Sequence, residues 1–221
     1  MDGRLLAMAG DVKGRRRYHS PLRAEQADTT RRRVLAAARE LFLARGYAGT
    51  TVAAVAQAAG VSPDTIYVSL GGKQGLLEGV LSLARFDPED PAQRDQQHRR
   101  DEIGALADPH QRLGRLVELS CETLARISPV HAVLRGAADG HPFAAGLYAR
   151  MLGLRLQIQA GNLQTYLGAS LRPGLTVKQA AEHYSALLSP ELYHLLTVEY
   201  RWTTGQYASW VTRLLDRDLL G

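Results

Sequence analysis

The chain has 221 residues, of which 45% are hydrophobic and 22% charged, a composition typical of a folded globular protein of one or two domains. No apolar run reaches the roughly 18 residues that a membrane-spanning helix needs, and no secretory signal is predicted. The single cysteine, Cys121, excludes an internal disulfide and a cysteine-based metal cage. We therefore expect a cytoplasmic protein with no metal, no cofactor and no membrane partner.

The net charge of +5 lies entirely in the first 33 residues, which hold nine basic and four acidic side chains. Such a segment is attracted to polyanions, to nucleic acid first and to an anionic membrane surface second. Residues 1–27 lack a sustained apolar period and contain several glycines and a proline, so we interpret them as a basic flexible N-terminal arm. A tail that only aids solubility is the alternative.

Helical periodicity begins after the arm. An apolar face that repeats over residues 34–42 predicts the first helix, with a cap among residues 28–30 and an end at Gly46. A second apolar face over residues 52–59 predicts a short helix that ends at Gly60.

The third helix has a strong start signal. Ser62 supplies a hydroxyl cap and Pro63 suits the first helical turn, and the helix is expected to end at Ser69 or Leu70. Two glycines at 71–72 break the chain, and a fourth helix begins at Lys73.

The rest of the chain also reads as helix. A polar stretch with two prolines at 87–95 is the best candidate for a boundary, and helices are expected around 113–127, 143–167, 176–188 and 207–215, with a restart at Pro190. No strand is predicted, so the fold class is all-α.

The segment from Thr51 to Leu70 has the pattern of a helix-turn-helix. Gly60 suits the turn because it lacks a Cβ, and the small Ala56 lets two helices cross closely. The apolar residues of the segment face inward, which leaves Ser62, Asp64, Thr65 and Tyr67 facing outward from the third helix. A helix of this kind fits the major groove of DNA.

Residues 28–86 resemble the N-terminal domain of the TetR family of transcriptional regulators. The resemblance lies in the stretches TTRRRVLAAARELFLARGYAGTTV and AAVAQAAGVSPDTIYVSLGGKQGLLEGVL. It implies a three-helix helix-turn-helix DNA-binding domain over 28–86 and a larger helical effector-binding and dimerisation domain over 87–221. It also implies a ligand-responsive regulator, most often a repressor, that binds a palindromic operator in double-stranded DNA as a homodimer and is released by a small-molecule effector.

The resemblance assigns DNA contacts to named positions. Thr51 and Lys73 are expected at phosphates, and Tyr67 at the DNA backbone. The full set of expected contacts is Thr51, Ser62, Pro63, Asp64, Thr65, Tyr67, Val68 and Lys73, with Arg31 and Arg32 of the arm. The sequence departs from the family at 68–70, where Val68 can touch a thymine methyl group but cannot donate a hydrogen bond.

Effector and dimer residues are predicted from the helical stripes of the second domain. The candidate effector contacts are Leu116, Cys121, Leu147, Met151, Arg155 and Gln159, although most of them would also suit a plain core. The candidate dimer contacts are Leu188, Leu192, Leu195, Trp210 and Leu214.

Other function classes are less well supported. No nucleophile elbow, glycine-rich phosphate loop or HExxH spacing occurs, so no catalytic residue and no enzyme activity are predicted. A helical small-molecule-binding or scaffold protein that has lost specific DNA binding is the alternative, motivated by the unusual residues Val68, Ser69 and Leu70. An amphipathic membrane-surface protein that uses the basic arm is a third possibility.

Overall fold

The computed structural model describes residues 21–221, so residues 1–20 of the predicted arm lie outside the described residues. Within the described part the chain forms helices and loops without a strand, which confirms the all-α class. The helices are α1 (Pro21–Arg45), α2 (Val52–Ala59), α3 (Pro63–Leu70), α4 (Lys73–Arg85), α5 (Pro91–Arg94), α6 (Gln96–Ala105), α7 (Pro109–Ala138), α8 (Pro142–Leu167), α9 (Val177–Leu187), α10 (Pro190–His194) and α11 (Thr204–Leu215). No helix among them is long and apolar enough to cross a bilayer.

Helix α1 begins at Pro21, earlier than the cap predicted at 28–30, so residues 21–27 of the predicted arm are helical. Residues 25–29 are exposed, and the apolar period that marks the rest of α1 does not reach them. Local bonds hold this first part of the helix instead. Thr29 Oγ1 donates to the carbonyl of Glu25 at 3.0 Å, and Arg32 Nε pairs with Asp28 at 3.1 Å.

Helices α1 to α4 share one buried core. Phe42 of α1, Val55 of α2, Ile66 of α3 and Leu76 of α4 are fully buried in it. The packing is close enough that a Cβ built on Gly79 of α4 would lie 2.7 Å from Leu35 Cδ2 of α1. The side chain of Leu35 therefore packs directly against the backbone of α4 at this point.

The 30-residue helix α7 is the centre of the second helical group and contacts α4, α8, α10 and α11. It continues through Pro129, beyond residue 127, where the helix predicted from the apolar periodicity ends. A single-turn π-helical segment, Leu195–Glu199, follows α10, and a second one, Asp216–Leu220, follows α11.

Helices α1 and α4 pack on α7, and side-chain contacts also join the two groups of helices. Arg32 of α1 pairs with Asp87, in the loop after α4, at 2.7 Å. The ring of Tyr47 meets the ring of His141, just before α8, edge to face at 5.2 Å. Glu78 of α4 pairs with Arg150 of α8 at 2.8 Å.

Candidate nucleic-acid interface and ligand cavity

The turn between α2 and α3 is built as the sequence predicts. Gly60 has φ 64° and ψ 41°, a left-handed conformation that favours glycine, and its N–H donates to carbonyls of α2. Ser62 then caps α3, since its hydroxyl accepts from the Thr65 N–H at 3.2 Å and lies 2.9 Å from Thr65 Oγ1. Both ends of the turn are thus fixed by local chemistry.

Helix α3 divides into a buried and an exposed side. Ile66 and Leu70 are buried against the core, whereas Tyr67 and Val68 are 58% and 89% exposed. Ser62, Pro63 and Asp64 are also exposed, and Thr65 is half-buried. The residues of α3 that were predicted to contact DNA therefore lie either at the N-terminal end of the helix or on its exposed side.

Tyr67 lies across the turn between α3 and α4. Gly72 has φ 84°, and a Cβ at this position would lie only 2.9 Å from Tyr67 Cε1. The glycine therefore provides the space that the ring occupies. The ring is held at the exposed edge of the helix pair, and its hydroxyl makes no hydrogen bond within the described residues.

Lys73, the first residue of α4, lies beside the loop that precedes α2. Its Nζ lies 4.4 Å from the centre of the Tyr47 ring and donates to the carbonyl of Ala48 at 3.4 Å. Partial burial lowers the pKa of this lysine. Thr51 caps α2 a few residues further on, its hydroxyl accepting from the Ala54 N–H at 3.1 Å. A cation and a helix N-terminus are therefore neighbours, an arrangement that suits a phosphate.

Arg31 and Arg32, which were predicted to contact DNA from the arm, lie on helix α1 and in different environments. Arg31 is exposed, and its Nη1 donates to the carbonyl of Ser69, at the end of α3, at 3.2 Å. Arg32 is held by carboxylates instead, 3.1 Å from Asp28 and 2.7 Å from Asp87. Of the two, Arg31 is beside the exposed face of α3.

A cavity of about 910 Å³ lies among α4, α7, α8 and the start of α10. Of the six residues predicted to contact an effector, five line it: Leu116, Leu147, Met151, Arg155 and Gln159. The sixth, Cys121, is buried and does not line the cavity. Its environment is apolar, and burial raises the pKa of the thiol to about 12.

One wall of the cavity carries a polar cluster that the sequence gave no means of finding. Tyr148 Oη donates to Glu191 Oε1 at 2.8 Å, and His131 Nε2 lies 3.9 Å from the same oxygen. Burial would raise the pKa of Glu191, but the bond from Tyr148 and the nearby positive charge hold it below its ordinary value. Burial lowers the pKa of His131, which favours the neutral imidazole.

The residues predicted at a dimer interface are divided between core and surface. Leu188 is buried and lines the cavity, while Leu195 and Leu214 are 41% and 37% exposed. Leu192 and Trp210 are half-buried. Val198 and Tyr200, which were not among the predicted interface residues, are 53% and 63% exposed and add to this apolar surface.

Comparison with known proteins relates the N-terminal helices to a known family. Residues 34–80 match the family described as "Bacterial regulatory proteins, tetR family". The HTH-type transcriptional regulator YvkB of Bacillus subtilis is 43% identical over 53 residues, which are 24% of this chain and 28% of YvkB. The chain thus matches little more than a quarter of the length of this curated relative.

Solved structures extend the likeness to the whole fold. NalD of Pseudomonas aeruginosa, the secondary repressor of the MexAB-OprM multidrug efflux pump, has a TM-score of 0.66 at 21% identity, over 89% of this chain and 98% of NalD. A protein of Saccharomonospora viridis solved in complex with choline has a TM-score of 0.63 at 22% identity, over 88% of this chain and 99% of that one. The relatives are regulators, in agreement with the expectation that this chain is not an enzyme. The N-terminal part of the chain thus matches the TetR family over residues 34–80, and the chain shares its overall fold with these solved structures.

Proposed function

We propose that the protein is a ligand-responsive transcriptional regulator that binds a palindromic operator as a homodimer and is released by a small molecule. The observation that carries the proposal is the exposed face of α3. The helix is capped by the Ser62 side chain at its start and by the Gly71 N–H at its end, and Lys73 and Arg31 flank it. A rigid, exposed helix of this size is the element that enters a major groove.

Residues of α3 and of its N-terminal cap are positioned to contact different base pairs. Ser62, Asp64 and Thr65 lie at its N-terminal end, where side chains of recognition helices reach base edges. Asp64 can accept from a cytosine amine, and Val68 can contact a thymine methyl group. Because Val68 offers no hydrogen bond, we expect selectivity at its base pair to depend on this methyl contact.

Phosphate contacts come from around α3. Lys73 and the N-terminus of α2 at Thr51 form one phosphate site. Tyr67, which packs against Gly72, and Arg31, which bonds Ser69, supply further contacts near the C-terminal end of α3. Each phosphate neutralised in this way adds about 0.9 to the slope of the salt dependence of binding.

The exposed apolar surface near the C-terminus supplies the dimer contact. Leu195, Val198, Tyr200 and Leu214 are all more than a third exposed, and the rings of Trp202 and Trp210 meet edge to face at 5.7 Å beside them. A two-fold dimer on this surface would present two α3 helices to half-sites about 34–36 Å apart, or a multiple of this distance. Sedimentation equilibrium should give twice the chain mass, and Leu214→Glu should shift it toward the monomer.

Helix α4 connects the cavity to α3. Glu78, Leu81, Ser82 and Arg85 line the cavity from α4, and only the glycine pair 71–72 separates α4 from α3. A ligand that shifts α4 therefore shifts α3 as well. In a dimer this changes the separation of the two α3 helices, which is how we propose that an effector releases the operator.

The test is selection of genomic fragments by the purified protein at near-physiological salt, followed by sequencing. Recovery of an inverted repeat with half-sites one helical turn or a multiple apart supports the proposal. Binding without a shared motif that disappears as salt rises contradicts it, because only charge attraction would remain. That result would favour the alternative of a small-molecule-binding protein without specific DNA binding.

A further inference from the structure

The charges that line the cavity are unequal. Five arginines face it against two glutamates, which leaves an excess of three positive charges. Glu78 is already paired with Arg150 at 2.8 Å, and Glu191 accepts a hydrogen bond from Tyr148 at 2.8 Å. Both carboxylates are therefore engaged by protein groups, whereas most of the arginines make no ion pair with a carboxylate of the described residues.

Arg155 is the cation that is most enclosed by the cavity. It lies near the middle of α8, and its Nε is fully buried with no hydrogen-bond partner. Its guanidinium makes no ion pair with Glu191 or with any other carboxylate of the described residues. Burial lowers the pKa of the guanidinium, and the negative charge of Glu191 opposes this effect. A buried donor without a partner is costly, and an acceptor supplied by a ligand would relieve that cost.

The remaining walls suit an apolar body. The cavity is lined by many aliphatic side chains from α7 and α8, among them Leu116, Leu119, Leu147, Met151, Leu154 and Ile158. A volume of about 910 Å³ is at the upper end of the range for small-molecule pockets. The ligand that fits is therefore large, mostly apolar and charged in one place.

We infer that the cavity binds an amphipathic organic anion whose headgroup pairs with Arg155 and whose apolar body lies along the aliphatic walls. The guanidinium presents parallel N–H donors that match a carboxylate or a phosphate oxygen pair. The regulatory meaning of this binding rests on the proposed function, but the binding itself does not.

An organic cation is the competing ligand class. It would have to use Glu191, the only glutamate of the lining without an ion pair to an arginine, and the ring of Tyr148 beside it. The excess of arginines opposes such a ligand, and Arg155 would keep its unpartnered donor. The charge of the lining therefore favours the anion.

The test uses isothermal titration calorimetry with four probes of equal chain length. These are dodecanoate, dodecyl phosphate, dodecanol and dodecyltrimethylammonium, each below its critical micelle concentration. We expect one of the two anions to bind at least about 10-fold more tightly than dodecanol, because a charge-assisted hydrogen bond to a buried arginine is stronger than a neutral one. The comparison of the two anions tells a carboxylate headgroup from a phosphate.

Arg155→Gln should remove the difference in affinity between the anion and dodecanol. Its affinity for dodecanol should stay within about 2-fold of that of the parent. Arg115→Gln is the matched control, since Arg115 is an exposed arginine of α7 that pairs with Glu118 outside the cavity. It should bind every probe like the parent. The probe series on the parent protein tests the inference even where Arg155→Gln does not fold.

Three results would overturn the inference: equal affinity for anion and alcohol, tighter binding of the ammonium, or no binding of any probe. None of these bears on whether the protein recognises an operator. Conversely, anion binding through Arg155 that leaves operator affinity unchanged would contradict the proposed regulation and leave the ligand class standing.

Discussion

The glycine at position 75 provides a sharp test of how α3 is held against α4. A Cβ built on Gly75 would lie 1.5 Å from the carbonyl oxygen of Leu70 and 2.7 Å from its carbonyl carbon. Both atoms belong to the backbone at the end of α3, so no flexible side chain can turn away. The two helices would have to separate by about 2 Å to restore ordinary van der Waals contact.

The expected cost of Gly75→Ala follows from this geometry. Overpacking in a well-packed region typically costs about 1–3 kcal/mol, and a backbone obstacle places this substitution at the upper end. For a chain of this size, such a loss lowers Tm by about 6–12 °C. Because Tyr67 and Lys73 lie on either side of the affected turn, operator affinity should fall as well.

Gly114→Ala is the control. Gly114 lies inside α7, and no heavy atom lies within 4 Å of a Cβ built there. Alanine should therefore raise stability by about 0.5–1 kcal/mol through its greater helix propensity. Circular dichroism melting of the parent and both variants makes the comparison. A Gly75→Ala protein with the Tm of the parent would refute the proposed close contact of α3 and α4.

Three further predictions test separate features. Ser62→Ala removes the cap of α3 and should lower the free energy of unfolding by about 1 kcal/mol in a denaturant titration. The folded-state pKa of Asp87 is lowered, because bonds from Arg32 and the Glu89 N–H outweigh its burial, so its carboxylate stabilises the fold at neutral pH. That contribution is lost as the pH falls below about 3.9. Asp87→Asn should therefore lower the denaturant midpoint of unfolding at neutral pH but not in acid. Cys121, whose thiol has a pKa of about 12, should react with a thiol reagent only after denaturation.

The helix-turn-helix formed by α2 and α3 was well predicted because its sequence signals are local. Gly60 can adopt a left-handed turn, and a hydroxyl followed by proline at 62–63 begins a helix in most surroundings. The structure confirms the bounds of α2 and α3 at these residues. The exposure of Tyr67 and Val68 on α3 follows from the helical periodicity of the apolar residues, although contact with DNA stays a prediction.

Features that depend on packing between distant segments were not predictable in this way. The pairing of Arg32 with Asp87 joins residues 55 positions apart, so Arg32 had only its charge to suggest a role. Tyr148 and Glu191 meet across the cavity for the same reason. The start of α1 was placed too late because the part before residue 28 is exposed and carries no apolar period.

The proposed DNA contacts are tested most directly by fluorescence anisotropy, which measures the affinity of the parent and variants for the inverted repeat recovered by selection. Lys73→Ala and Tyr67→Phe test the phosphate contacts, and Tyr67→Phe keeps the ring that packs over Gly72. Lys178→Ala, an exposed lysine of α9, is the control. We expect Lys73→Ala to raise Kd by about 10-fold or more and Lys178→Ala to leave it unchanged. Parent-like binding by both Lys73→Ala and Tyr67→Phe would contradict the assignment of this face to DNA.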